Sequence, residues 1–130
     1  MSLILLIDDD EPLRRALRIF LEKSGYDVAE ADDGLDGLKM FEALPADLVI
    51  TDLMMPEMDG LEMILALRKL SPSVPIVAVS GGWRGDSENY LRMARRFGAV
   101  KVFDKPFEFH VLGAEIAALL ADGDVPPAAG

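Results

Sequence analysis

The chain has 130 residues, a hydrophobic fraction of 51% and a net charge of −10, from 23 acidic and 13 basic residues. This length and composition fit one globular domain with a substantial core. The sequence has no cysteine for a disulfide and no apolar run approaching the ~20 residues of a membrane span. Its acidity disfavours nucleic acid as a partner, and the absence of a secretory signal predicts a cytoplasmic protein.

Five apolar runs alternate along the chain with five amphipathic segments. The runs predict strands, and the segments, with apolar residues three and four positions apart, predict helices. The predicted strands are 3–7, 26–30, 47–51, 75–79 and 100–103. The predicted helices end near Ser24, Ala43, Ser71, Gly98 and Leu120. We expect residues 1–121 to form the domain and residues 122–130, rich in proline, alanine and glycine, to form a flexible tail.

The strict alternation of strands and helices predicts an α/β fold. In such a fold a parallel sheet is covered by helices on both faces. Right-handed crossovers and five strands favour the doubly wound order 2-1-3-4-5, which is a flavodoxin-like three-layer sandwich. Strands 1 and 3 are then neighbours, and ligands are expected at the carboxyl ends of the strands.

Polar residues follow four of the predicted strands at that edge: Asp8 and Asp9, Asp52, Ser80, and Lys105. Carboxylates on adjacent strands lie ~5 Å apart and repel by roughly 3 kcal/mol at an effective dielectric of about 20. Such acids must share protons, bind a cation or be neutralised by Lys105. Oxygen ligands with open positions favour Mg²⁺, with Mn²⁺ or Ca²⁺ as substitutes. Beside such a cation, Asp52 has the chemistry of a nucleophile in phosphoryl transfer.

Each of these residues also has an ordinary structural explanation. An isolated aspartate at a strand end most often satisfies turn amides, and acids before a helix are good N-caps. Ser80 could cap the fourth helix, and Lys105 could be a surface lysine. Their joint position at the ends of four strands favours a functional site over these separate explanations.

Four motifs surround these residues: Asp8-Asp9 after a buried strand, DLMMPEMDG beginning at Asp52, VAVSG around Ser80, and DKPF around Lys105. Together they resemble the receiver domain of bacterial two-component response regulators, over residues 3 to about 121. The resemblance implies a single-domain phosphorylation switch and not a turnover enzyme. Asp52 would accept a phosphoryl group from a phosphohistidine on a sensor histidine kinase or a histidine phosphotransfer protein, with slow autodephosphorylation.

The resemblance also implies roles for the neighbouring residues. Asp9, Asp52 and the backbone carbonyl of Met54 would bind Mg²⁺ directly, and Asp8 would help through water. Lys105 would pair with the phosphoryl oxygens, and Ser80 would hydrogen-bond one of them. The Lys105-Pro106 bond is often cis in such domains.

The resemblance extends to partners. A downstream protein would bind through the face of helix 4, strand 5 and helix 5, and the protein would be a monomer or a weak dimer without direct nucleic acid or membrane binding. Two alternatives stay open from the sequence. One is a pseudo-receiver that acts as a constitutive protein-interaction module, and the other is a hydrolase that forms an aspartyl phosphate, which would need a general acid or base.

Two features depart from the family pattern. Val102 stands where the family usually has an aromatic switch residue, and the adjacent Phe103 is expected to point to the opposite face of the sheet. The segment from Ser80 to Gly98 is longer than the common pattern and begins with glycines that permit mobility. Trp83 lies within this segment and is expected to report on the site.

Overall fold

A computed structural model describes residues 2–53, 60–81 and 87–124, with the backbone alone for residues 81, 87–91 and 122–124. The strands are β1 (Leu3–Ile7), β2 (Asp27–Ala31), β3 (Leu48–Asp52), β4 (Ile76–Gly81) and β5 (Lys101–Lys105). The helices are α1 (Glu11–Lys23), α2 (Gly34–Ala43), α3 (Gly60–Leu70), α4 (Ser87–Phe97) and α5 (Phe109–Asp124). α5 therefore continues into the segment that the sequence predicts to be a tail. None of the helices within the described ranges has the length and apolar character to traverse a bilayer.

The five strands form one parallel sheet in the order β2-β1-β3-β4-β5, which confirms the predicted topology. Ile7 of β1 is level with Thr51 of β3, and Asp52 is level with Val79 of β4. Because these strands are parallel, their carboxyl ends lie along one edge of the sheet. The strand order therefore determines which polar side chains can meet.

Successive side chains of each strand enter two separate cores, one on each face of the sheet. The first core lies under α2, α3 and α4, and the second lies under α1 and α5. Each fully buried Leu or Ile in these cores contributes about 2 kcal/mol from the hydrophobic effect. Val102 packs against the first core and Phe103 against the second, so the prediction that they point to opposite faces is confirmed.

α1 begins directly after the acids that follow β1. The carboxylate of Asp10 accepts a hydrogen bond from the Leu13 amide at 3.2 Å, and Pro12 stands in the first turn, where proline fits a helix. Glu11 in the same turn complements the positive end of the helix dipole. These local preferences fix the end of β1 and keep Asp8 and Asp9 at the sheet edge.

Candidate functional site

Three carboxylates meet at the carboxyl edge of the sheet. Asp8, Asp9 and Asp52 each offer an oxygen that lies within 4.8 Å of the other two. Asp8 and Asp52 each lie one position beyond the register pair formed by Ile7 and Thr51, which explains their proximity. Asp8 is 2% exposed and Asp52 3% exposed, whereas Asp9 faces solvent. The structure thus brings together the acids that the sequence predicts to converge.

Lys105 reaches this cluster from β5, two strands away from β3 in the sheet. Its ammonium lies 2.9 Å from an Asp8 oxygen and 3.2 Å from an Asp52 oxygen. Burial by itself lowers the pKa of Lys105, but the hydrogen bonds and charges of Asp8 and Asp52 outweigh burial and raise its pKa above the ordinary value. The ammonium therefore stays charged and neutralises part of the cluster.

One ammonium does not balance three carboxylates. Three carboxylates and the Lys105 ammonium together carry a net charge of −2. A charge of −2 held by oxygen ligands, with Asp9 open to solvent, suits a hard divalent cation that keeps some of its water. The donor set of this structure therefore fits the Mg²⁺ that the sequence leads us to expect.

The backbone and side chain of Asp8 are held from several directions. Its amide donates to the Ala31 carbonyl at 3.1 Å, and its carboxylate accepts from the Asp10 amide at 2.9 Å. Its own carbonyl accepts from the Arg14 guanidinium at 2.6 Å. Arg14 is not among the residues that the sequence predicts for this site. A signal was available, because Arg14 lies three positions before the buried Leu17 on the apolar side of α1, an unusual position for a charge.

Backbone hydrogen bonds hold Leu53 and Gly60, the residues on either side of segment 54–59. The Leu53 amide donates to the Val79 carbonyl at 2.9 Å, and the Gly60 amide donates to the Leu53 carbonyl at 3.1 Å. A Cβ at Gly60 would lie 2.3 Å from the Leu53 Cα, so only glycine permits this approach. The predicted metal ligand Met54 and the predicted reporter Trp83 lie outside the described residues, and both stay predictions.

The remaining predicted residues lie close to the same edge. Ser80 is buried on β4, where it is level with Asp104 of β5. The Lys105-Pro106 peptide bond is cis, as the resemblance implied.

A second group of acids, Asp32, Asp33 and Asp36, lies before and within α2. The Asp33 carboxylate accepts from the Asp36 amide at 2.8 Å and caps the helix. Capping explains why Asp33 stands at the start of α2, and we assign no cation to this group.

The chain is similar to known proteins along most of its length. The profile of the response regulator receiver domain matches residues 4–117. The response regulator receiver protein CpdR of Brucella abortus is 36% identical over 92% of this chain and 98% of its own length. The alkaline phosphatase synthesis transcriptional regulatory protein PhoP of Bacillus subtilis is 34% identical over 94% of this chain and 50% of its own length. The chain spans about half the length of such transcriptional regulators.

Solved structures show the same fold. The crystal structure of a response regulator receiver domain protein from Clostridium thermocellum has a TM-score of 0.87 and 27% sequence identity, and the match covers 96% of this chain and 98% of that one. The crystal structure of FixJ-N has a TM-score of 0.81 and 26% identity, with coverage of 93% and 94%.

Proposed function

Because the chain belongs to the response regulator receiver domain family of two-component signalling, we propose that Asp52 is its phosphoacceptor. The observation that carries this proposal is the position of Asp52: a buried carboxylate at the end of β3 that contacts the Lys105 ammonium at 3.2 Å and lies beside Asp8 and Asp9. A pseudo-receiver finds no support, because this set of charged residues is present and assembled.

The same carboxylates are suited to bind Mg²⁺. Asp9, Asp52 and the backbone carbonyl of Met54 would bind it directly and Asp8 through water, with Mn²⁺ or Ca²⁺ as substitutes. When bound, the cation neutralises the acids and offsets the negative charge of the incoming phosphoryl group. The net charge of −2 that remains when Lys105 is counted with the three acids supports this assignment.

In the reaction, a carboxylate oxygen of Asp52 attacks the phosphorus of a phosphohistidine. The new O–P bond forms as the P–N bond breaks, and the released imidazole takes up a proton from solvent. The Lys105 ammonium moves from the carboxylate oxygens to a phosphoryl oxygen, and the Ser80 hydroxyl donates to another. Water later hydrolyses the aspartyl phosphate slowly, which releases inorganic phosphate and restores Asp52.

The donor would be a sensor histidine kinase or a histidine phosphotransfer protein. A downstream protein would bind the face of α4, β5 and α5, where Arg92, Met93, Val100 and Val111 are exposed. Arginines and apolar side chains together are typical of protein interaction surfaces. We expect a monomer or a weak dimer.

Intact-mass spectrometry tests the phosphoacceptor directly. Wild-type protein incubated with Mg²⁺ and acetyl phosphate should gain the mass of one phosphoryl group, and Asp52→Asn should gain none. Asp104→Asn, which removes an exposed acid from β5, should behave like the wild type. A chelator should prevent the gain. An equal gain in Asp52→Asn, or none in the wild type, would contradict the proposal. Rapid turnover of acetyl phosphate without accumulation of the phosphorylated protein would favour a hydrolase.

A further inference from the structure

We propose that Arg14, oriented by Glu30, is a positioning residue for the acidic site. Its guanidinium fixes the peptide group that joins Asp8 to Asp9 and thereby sets the affinity of the site for a divalent cation. This inference rests on the proposed Mg²⁺ site, and it concerns two side chains that do not themselves belong to the ligand set.

The guanidinium of Arg14 donates two hydrogen bonds from different nitrogens. One terminal nitrogen donates to the Asp8 carbonyl at 2.6 Å, and Nε donates to a Glu30 oxygen at 2.9 Å. The Arg14 side chain is 13% exposed and that of Glu30 is 21% exposed, so water competes weakly for either contact. The planar fork of an arginine can satisfy both acceptors in a fixed geometry, which a lysine cannot.

The Asp8 carbonyl belongs to the same rigid peptide plane as the Asp9 amide. The orientation of this plane sets the position of the Asp9 Cα and the direction of the Asp9 side chain. The other contacts of Asp8, from its amide to Ala31 and from the Asp10 amide to its carboxylate, do not hold this plane. Arg14 therefore acts at the one backbone group that relates Asp8 to Asp9.

Glu30 determines which way the fork of Arg14 points. It lies on β2, level with Leu6 of β1, and its second oxygen accepts from Arg18 one turn further along α1. Burial by itself raises the pKa of Glu30, but the hydrogen bonds from Arg18 and Arg14 outweigh burial and lower its pKa. Glu30 thus stays a carboxylate and holds Nε of Arg14, while a terminal nitrogen of the same guanidinium donates to the Asp8 carbonyl.

If Arg14 acted through its charge alone, its removal would change the Mg²⁺ affinity in the opposite direction. A positive guanidinium close to the site repels a cation, so its removal would strengthen cation binding if Arg14 acted only through charge. If Arg14 positions Asp9, its removal weakens cation binding in spite of the lost repulsion. The sign of the change in Mg²⁺ affinity therefore distinguishes the two explanations.

Isothermal titration calorimetry with Mg²⁺ on the full chain measures this affinity. Arg14→Met and Arg14→Lys should each weaken Mg²⁺ binding by about tenfold or more, the usual effect of removing a group that orients a metal ligand. The matched control is Arg15→Met, which removes the same charge from the next position of α1. Arg15 is 69% exposed and pairs only with Glu11 among the described residues, so its loss should leave the affinity unchanged.

The amide NMR resonance of Asp9 in the metal-free protein gives a second readout. It should shift in Arg14→Met and in Glu30→Gln but not in Arg15→Met, because only the first two disturb the hydrogen bond to the Asp8 carbonyl. The double variant Arg14→Met/Glu30→Gln should bind Mg²⁺ about as weakly as Arg14→Met alone, since the two residues act through one contact. If Arg14→Met fails to fold, Arg14→Lys and Glu30→Gln decide the question.

Unchanged or tighter Mg²⁺ binding in folded Arg14→Met and Arg14→Lys would overturn the positioning role and leave the proposed phosphorylation of Asp52 intact. A wild type that binds no Mg²⁺ would overturn both. A wild type that binds Mg²⁺ but takes no phosphoryl group, with weakened binding in the Arg14 variants, would overturn the proposed function alone.

Discussion

The ammonium of Lys105 contacts Asp8 at 2.9 Å and Asp52 at 3.2 Å, so a single cation bridges two buried carboxylates from different strands. Removing one partner from such a group lowers the stability of the folded state, because it leaves an unpaired charge in a poorly solvated environment. The same ammonium also contacts the carboxylates that we propose as the site of a divalent cation, so the two positive charges compete for these oxygens. Lys105 is therefore both a stabilising group and a competitor at this site.

We expect Lys105→Met to be less stable without Mg²⁺ by roughly 2–4 kcal/mol and to regain more stability than the wild type when Mg²⁺ is added. Thermal unfolding with and without Mg²⁺ measures both effects. The control is Lys101→Met on the same strand, whose exposed pair with Glu115 at 3.5 Å should contribute little. Equal Mg²⁺ responses of wild type and Lys105→Met would refute this competition.

The raised pKa of Lys105 predicts a loss of stability at high pH. Below the ordinary pKa of 10.5 the ammonium is charged in both the folded and unfolded states, and its contribution is complete. As pH rises above 10.5, the unfolded chain loses this proton first, so the folded state binds more protons and the free energy of unfolding falls. Urea denaturation of the wild type should show a steeper decline than Lys105→Met in this range, and parallel curves would count against it.

The sequence predicts the meeting of Asp8, Asp52 and Lys105 because it depends on two regular features. Strand order and the alternation of side chains place their Cα atoms at one edge, and no detailed packing is needed. The contact of Arg14 with Glu30 has no comparable signal. The two residues are separated by 16 positions on different elements, and many other acids could have paired with Arg14. Most segment ends shift by one or two residues for the same reason, and α5 ends four residues beyond its predicted end, since tertiary pairing decides these ends.

Arg68 connects three parts of the structure through backbone carbonyls. Its guanidinium donates to Val74 at 2.6 Å, Gly98 at 2.7 Å and Ser71 at 3.2 Å, and burial lowers its pKa. Arg68→Met would leave these carbonyls without their donor, and we expect it to cost about 2–3 kcal/mol in urea denaturation. The neighbouring Lys69→Met, at an exposed position, should cost little. A similar cost for both variants would contradict the role of these hydrogen bonds.

Gly60→Ala should destabilise the protein by about 1–3 kcal/mol, because its Cβ would lie 2.3 Å from the Leu53 Cα and backbone atoms yield little. Gly113→Ala offers a matched comparison within α5. There the Cβ would lie 3.0 Å from the Phe20 ring, which can tilt, and alanine favours a helix. Chemical denaturation of both variants measures the difference. The prediction fails if Gly60→Ala is as stable as Gly113→Ala.

The Gly60 amide donates to the Leu53 carbonyl, and this hydrogen bond makes the register of α3 independent of the length of the segment between them. Because both anchor residues are tied to each other, extra residues between them add only a slowly growing entropic cost. Insertions between Leu53 and Gly60 should then leave the register of α3 unchanged. The length of this segment can therefore vary while the scaffold is retained, and a set of insertion variants with nearly unchanged melting temperatures would demonstrate that tolerance.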